Sequence, residues 1–203
     1  MAIYTKLDKE KVVSIISNYN LGNMKNYQGI KEGIENTNYL VETEKGKYIL
    51  TIYEKRVNKD DLPFFSKLME KLSNKKFICP KPILNKNNKY ISDLGSKKFM
   101  LVSYLEGKSK TNLSPDDCSS VGKQAARLHE ITKNFDFKRD NDLSVKSWRR
   151  IFNQVKDKCN RIHPDLPKLI ETNLEDVEKD WPENLPKGII HADLFHDNIF
   201  FKN

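Results

Sequence analysis

Across residues 7–19 the apolar side chains Leu7, Val12, Ile15, Ile16 and Tyr19 recur at roughly helical spacing, which predicts a first helix with Thr5 as its cap. The period then changes. TNYLVET (37–43) and KYILTIYE (47–54) are β-rich runs separated by Glu44-Lys45-Gly46, a hairpin signal. Tyr27 to Ile30 reads as a further strand, joined to them by the polar turn KEGIEN. Residues 60–73 (DDLPFFSKLMEKLS) read as a helix with Pro63 in its first turn, stopped by Pro80 and Pro82. PILN and KYISDL flank Lys86-Asn87-Asn88 as a second hairpin, and KFMLVSYL (98–105) is an apolar strand. The second half is helical. Ser114-Pro115-Asp116-Asp117 opens a helix that runs to residue 133, and further helices follow at 144–162 and 165–180. Gly188-Ile189-Ile190 reads as a short strand, followed by the polar loop HADLFHDN and a strand IFF. The expectation is an α+β chain: a β-rich lobe with one inserted helix, then a mainly helical lobe.

Composition narrows the class. The chain has 203 residues, enough for one large domain or two small lobes, and 10% aromatic content excludes a disordered tail. No apolar run approaches the roughly 20 residues of a membrane span, and MAIYTKLDKEK lacks a signal core, so the expectation is a soluble cytoplasmic protein. The net charge of +8 comes from 30 Lys against 6 Arg, spread along the chain and mixed with acids. Arg is the residue suited to bidentate phosphate and guanine contacts, so the charge reads as a solvated surface rather than a nucleic-acid footprint. Cys79, Cys118 and Cys159 lie far apart with no CxxC pair. They are expected to be reduced, buried and apolar in role, forming neither disulfides nor a zinc site.

Chemistry concentrates in HADLFHDN (191–198), which places Asp193 and Asn198 five residues apart between two apolar runs. That spacing suits phosphoryl transfer: a carboxylate takes the proton of an attacking hydroxyl, and a nearby side-chain amide oxygen binds the Mg²⁺ that shields the nucleotide phosphates. Few other protein groups are needed, because catalysis is mostly positioning and charge neutralisation. The competing reading is an Asx-rich turn whose side chains cap backbone groups. A second signal is the turn from Gly29 through Gly33, Asn36 and Thr37 to Tyr39, where glycines let backbone N–H groups approach phosphates; a plain hairpin turn fits the same residues. A third is MLVSYLEG (100–107). An apolar strand ending in a short linker can hold adenine through the backbone of Ser103, Tyr104 and Leu105, and nothing in its side chains separates this from a core strand.

Together these segments resemble the aminoglycoside phosphotransferase/choline kinase superfamily. GIENTNYLV is similar to its G-x-x-N-x-x-Y-x-V phosphate hairpin, VSYLEG to its hinge, ARLHE around His129 to its leucine–histidine helix, and HADLFHDN to its H-x-D-x4-N loop. YQGIKEGIENTNYLV, YILTIYEKRVNKDDLPFFSKLM, CPKPI and IIHADLFHDNIFF further resemble, in order and spacing, the homoserine kinases of bacterial threonine biosynthesis. The resemblance implies a protein-kinase-like two-lobe fold, with a nucleotide lobe at 1–102, a hinge at 103–107 and a helical lobe at 108–203. It implies ATP and Mg²⁺ as cofactors and L-homoserine as the acceptor. Choline, ethanolamine, methylthioribose or an aminoglycoside are the alternative acceptors, and a non-catalytic nucleotide module is the alternative role. By the same resemblance Asp193 is the catalytic base, His191 organises its loop, and Asn198 is a metal ligand. Gly29, Gly33, Asn36 and Thr37 contact phosphate. His129 is structural, His163 solvated, and His196 carries no assigned role.

The sequence departs from the superfamily pattern twice. Thr51 stands where many members have a β-strand Lys, and Phe64-Phe65 stand on the helix face that would carry its acidic partner. Losing both charges is far less costly than burying one alone. Lys31 or Lys55 is then the candidate to neutralise phosphate. The second acidic Mg²⁺ ligand of kinases of this kind lies downstream of the catalytic loop, and the 203 residues do not include it. The expectation is a C-terminally incomplete chain, inactive as it stands.

Overall fold

The computed structural model describes residues 3–31, 35–55 and 57–202. Five antiparallel strands form one sheet in the order β1-β2-β3-β5-β4: β1 (Met24–Ile30), β2 (Thr37–Thr43), β3 (Gly46–Tyr53), β4 (Ile91–Leu94) and β5 (Lys97–Ser103). In β2 burial alternates strictly along the strand, as expected where one face is covered. Helix α1 (Lys9–Ile16) provides that cover. Its Val12, Ile15 and Ile16 pack with Tyr39 and Val41 of β2, Leu50 and Ile52 of β3, and Phe99 and Leu101 of β5. The α1 cap is Asp8, whose carboxylate accepts the Lys11 N–H at 2.7 Å. Thr5, expected there, is engaged elsewhere.

The β2–β3 hairpin turns over Glu44-Lys45 as expected, with Thr43 paired to Gly46. The first strand is longer than expected, starting at Met24. Helix α2 (Leu62–Asn74) follows a single 3₁₀ turn and carries Pro63 in its first turn. It ends at Asn74, before the prolines that were expected to stop it. Lys76 adopts φ +55°, and the Phe77 and Lys76 N–H groups turn back to the Leu72 and Ser73 carbonyls. That is a Schellman stop with Lys in the place usually held by Gly. Arg127 completes it, donating to the Lys75 and Lys76 carbonyls at 3.2 and 3.1 Å.

The expected hairpin between PILN and KYISDL closes only at its turn, where the Asn85 N–H donates to the Lys89 carbonyl at 3.0 Å, and no ladder extends from it. The two segments are successive partners of one edge of β5. Residues 91–94 pair with 97–100, while Pro82 bridges Val102, and Ile83 and Ser103 donate to the Leu101 and Lys81 carbonyls. Proline lacks an N–H, so such a segment fits beside an edge and not within a two-sided ladder.

Helix α3 (Pro115–Thr132) opens with the expected cap. Ser114 and Asp117 form a reciprocal capping box, and Lys110 sits 2.7 Å from Asp117. The hydrogen bonds from Lys110 and Ser114 hold the Asp117 carboxyl down at about 2. Helices α4 (Val145–Cys159) and α5 (Leu166–Asp180) belong to a second compact unit, Arg139–Lys187; the first is Met1–Lys138 with Gly188–Asn203. Within the second unit Arg149 near the start of α4 grips Glu178 near the end of α5 at 2.7 Å. Lys156 meets Glu171 at 2.7 Å, so the two helices run antiparallel.

The expected strands at 188–190 and 199–201 are absent among the described residues, except for one bridge between Phe201 and Lys108. A strand needs a partner ladder, and Ile190 and Phe200 are exposed. The cysteines are free as expected, but only Cys159 is buried; Cys118 is exposed on α3 and Cys79 lies between, its thiol pushed up to about 11 by burial. No described helix is long and apolar enough to cross a membrane.

Leu50 is fully buried between α1 and the sheet, whereas Leu143 is 71% exposed. Leu50→Ala is expected to cost about 3 kcal/mol and Leu143→Ala less than about 0.5 kcal/mol, measured by urea unfolding.

Candidate functional site

The loop at 191–198 folds through one strained residue and one tight turn. Ala192 takes φ +64°, a left-handed conformation that non-glycine residues adopt at a cost of about 1 kcal/mol. It lies directly before Asp193. The chain then extends through Phe195 and closes a 3₁₀ turn, His196–Asn198, in which the Asn198 N–H donates to the Phe195 carbonyl at 2.9 Å. That turn swings the Asn198 side chain back onto Asp193. Its Nδ2 donates to Asp193 Oδ2 at 2.8 Å and to the Asp193 carbonyl at 3.1 Å. The Asp-x4-Asn spacing is the number of residues needed to close this loop. The two sequence readings therefore coincide in part: Asn198 does cap a backbone group, and with the same nitrogen it orients the carboxylate. His191 and Asp193 are exposed, as is Asn198, so each is open to a ligand.

Asn198 spends its nitrogen on Asp193, which leaves its side-chain carbonyl oxygen free for a cation. A hard oxygen donor of this kind suits Mg²⁺, which binds few protein groups and takes its remaining ligands from phosphates and water. No group of three or more His, Cys, Asp or Glu gathers for a metal among the described residues. The donor present, the Asn198 side-chain oxygen beside the Asp193 carboxylate, is of the oxygen type that Mg²⁺ takes.

The loop is tied to the end of β5. Lys108 and Phe201 exchange backbone hydrogen bonds of 3.0 and 2.9 Å. Gly107 permits the approach: at φ +151°, a Cβ would lie 3.0 Å from the Phe201 carbonyl oxygen and 3.1 Å from Phe200 Cβ. Lys110 sits over the Phe201 ring at 4.6 Å, and Lys202 pairs with Glu106 at 3.2 Å. The same β5 end carries Ser103, Tyr104 and Leu105. The Ser103 N–H donates to the Lys81 carbonyl and the Tyr104 N–H to the Lys47 carbonyl. Among the described residues the Leu105, Glu106 and Gly107 N–H groups make no hydrogen bond.

In the glycine turn, Gly29 pairs with Tyr39 across β1 and β2, and Gly33 lies outside the described residues. Asn36 is half-buried and its side chain accepts the Glu54 N–H at 3.4 Å. Thr37 is fully buried. Its hydroxyl accepts the N–H groups of Tyr4 and Thr5 at 3.0 and 3.1 Å and donates to Glu54 Oε1 at 2.7 Å. A hydroxyl has one proton and two lone pairs, so none of its capacity is left for a phosphate oxygen. Thr51, standing where a Lys was looked for, donates to Asn38 Oδ1 at 2.8 Å. Phe64 packs edge-on to Phe65 and Phe135. Lys31 and Lys55 are exposed, as are His129 and His163. No hydrogen bond among the described residues joins the glycine turn to the 191–198 loop.

Sequence reasoning missed Gly107 and Glu54. Gly107 sat in plain view within VSYLEG, where an isolated glycine after a strand is a signal of close backbone approach. Nothing local marked Glu54, whose partners lie in three other segments.

The profile of the phosphotransferase enzyme family matches residues 26–203. The homoserine kinase of Chelativorans sp. (strain BNC1) is 40% identical over 201 residues, covering 99% of this chain and 62% of the relative. That of Methylobacterium nodulans is 42% identical, covering 99% and 63%. The chain thus spans less than two thirds of the length of these curated relatives. Among solved structures, an amicoumacin kinase in complex with AMP-PNP and Ca²⁺ superposes with a TM-score of 0.67 at 17% identity, over 97% of this chain and 61% of its own. A spectinomycin phosphotransferase in complex with ADP and spectinomycin gives 0.63 at 15% identity, over 98% and 67%. At that identity the likeness shows the fold alone, and it is the α+β kinase-like fold expected from the sequence.

Two outcomes follow from the geometry. Gly107→Ala should speed amide exchange at Lys108 and Phe201 about tenfold or more, while the β2–β3 ladder exchanges as before, read by hydrogen-exchange mass spectrometry. The second concerns Glu54. Burial raises its carboxyl, but hydrogen bonds from Lys97, Thr5 and Thr37 outweigh burial and hold it below its usual value. Its contribution is therefore present above the unfolded pKa and is lost as pH falls through the lower folded one. The gap in melting temperature between wild type and Glu54→Gln should close as pH is lowered from about 6 to about 3.

Proposed function

The chain belongs to the phosphotransferase enzyme family, and from that premise we propose that the protein is an ATP-dependent homoserine kinase. The observation that carries the reading is the stretch of 201 residues, 40–42% identical to homoserine kinases, that includes both Asp193 and Asn198. The antibiotic kinases that share the fold are 15–17% identical and carry no weight for the acceptor. We assign the nucleotide lobe to residues 1–102, the hinge to 103–107 and the catalytic lobe to 108–203, and place the reaction in the cytoplasm, in threonine biosynthesis.

The Asp193 carboxylate accepts the proton of the L-homoserine side-chain hydroxyl as that oxygen attacks the γ-phosphorus of ATP. The bond between the γ-phosphorus and the bridging oxygen breaks. The products are O-phospho-L-homoserine, ADP and the proton held by Asp193. Asn198 works at two ends: its nitrogen fixes the carboxylate through the 2.8 Å hydrogen bond, and its oxygen would hold Mg²⁺. Mg²⁺, when bound, neutralises charge on the β- and γ-phosphates. The Leu105 N–H and the carbonyls of Ser103 and Tyr104 hold adenine. We assign phosphate contact to the backbone of the turn that carries Gly29, Gly33, Asn36 and Thr37, with Lys31 or Lys55 supplying positive charge. His191 organises the loop ahead of the strained Ala192.

In the full-length protein Asp193→Asn is expected to lower kcat about a thousandfold with little change in ATP affinity, measured by ADP release and by nucleotide titration. ADP release that does not depend on L-homoserine, but responds to choline, ethanolamine, methylthioribose or an aminoglycoside, would replace the acceptor. Nucleotide binding with no turnover on any of them would leave a binding module.

A further inference from the structure

The segment YILTIYEK is among the most specific stretches of the sequence, yet the proposed chemistry gives its Glu54 no task. The structure puts Glu54 under the N-terminal segment that precedes α1. Thr5 Oγ1 and Thr37 Oγ1 each donate to Glu54 Oε1 at 2.7 Å, and Lys97 pairs with Glu54 Oε2 and also reaches Thr5. The Tyr39 hydroxyl donates to the Thr5 carbonyl at 2.9 Å and accepts the Leu7 N–H at 3.0 Å. Ile3 lies over Gly29, where its Cδ1 would be 2.4 Å from an added Cβ.

These anchors share one end of the sheet. Residues 3–7 cross the last part of β1 at Gly29, the first residues of β2 at Thr37 and Tyr39, the residue after β3 at Glu54, and the first residue of β5 at Lys97. The β1–β2 connection, which carries the glycine turn, leaves from that end. The linker that offers Leu105 begins at the opposite end of β5, about 20 Å away at the rise of an antiparallel strand. Thr37 is the hub. It is fully buried and has every hydrogen-bonding valence used, so removing its hydroxyl strands two backbone N–H groups and takes one of two hydroxyl donors from Glu54 Oε1.

We infer that residues 3–7 form a strap that holds Gly29 and Thr37, the described residues flanking the phosphate turn, with Thr37 as its positioning residue and the Glu54–Lys97 pair as its anchor. The strap governs the grip on the nucleotide's phosphates and leaves the grip on its base alone. The inference rests on the nucleotide-binding reading above.

The test is calorimetric titration of ATP and AMP into the full chain as wild type, Thr37→Val and Thr37→Ser. Thr37→Val should weaken ATP about tenfold and AMP less than about twofold, and Thr37→Ser should restore ATP binding. Equal weakening of both nucleotides, or no change in either, would overturn the strap while leaving nucleotide binding intact. Wild type that binds neither nucleotide would remove the nucleotide reading itself, and the strap's role with it. Should Thr37→Val fail to fold, Thr5→Ala removes one donor to Glu54 and leaves the backbone N–H groups on Thr37. It should shift the ATP-to-AMP affinity ratio in the same direction, and an unchanged ratio overturns the strap.

Discussion

Strand β5 must be hydrogen-bonded along both edges, and the rest of the first unit is arranged to meet that demand. Four consecutive residues, Phe99 to Val102, are buried, so neither edge can turn to water for its backbone partners. β3 takes one edge along its length. The other is shared between β4 and the Pro82–Ile83 segment, because neither is long enough to cover it alone. The strand then runs into the linker at Ser103–Leu105 and, through Gly107 and Lys108, to the loop that carries Asp193. A buried strand thus hands a fixed geometry to an exposed site.

The strength of that hand-over lies in the backbone. The Glu106–Lys202 pair is wholly at the surface and is worth less than about 1 kcal/mol. The exchanged hydrogen bonds between Lys108 and Phe201, made possible by the missing Cβ of Gly107, set the position instead. Inside the loop the same economy holds. One amide nitrogen of Asn198 satisfies both the carbonyl and the carboxylate of Asp193, at the expense of a left-handed Ala192. The strain sits directly before the carboxylate proposed as the base, and functional sites commonly keep such conformations.

The absent β-strand Lys illustrates how a departure from a pattern is absorbed. Thr51 bonds to Asn38 directly across the β2–β3 ladder, and Phe64 joins a cluster of aromatic rings. No charge is left stranded by the replacement. One charged pair at the edge of this sheet, Glu54 with Lys97, lies at the end from which the glycine turn departs, where it secures the N-terminal segment.

Local sequence determined what depends on near neighbours. The period-2 alternation of TNYLVET, the Ser114-to-Asp117 cap, the turn at Glu44-Lys45 and the Asp193-to-Asn198 spacing each specify a structure within a few residues, and each was legible. Tertiary structure decided what depends on partners distant in the chain. Pro80 and Pro82 looked like the stop of α2, but Lys76 and Arg127 end it earlier. Thr37 was legible as part of the glycine turn, but not as the buried hydroxyl that joins Tyr4, Thr5 and Glu54. GII and IFF had strand-like composition but, beyond the bridge at Phe201, found no ladder. A hydrogen bond between residues tens of positions apart leaves no periodic trace in the sequence, because its geometry exists only once the sheet has brought the two segments together.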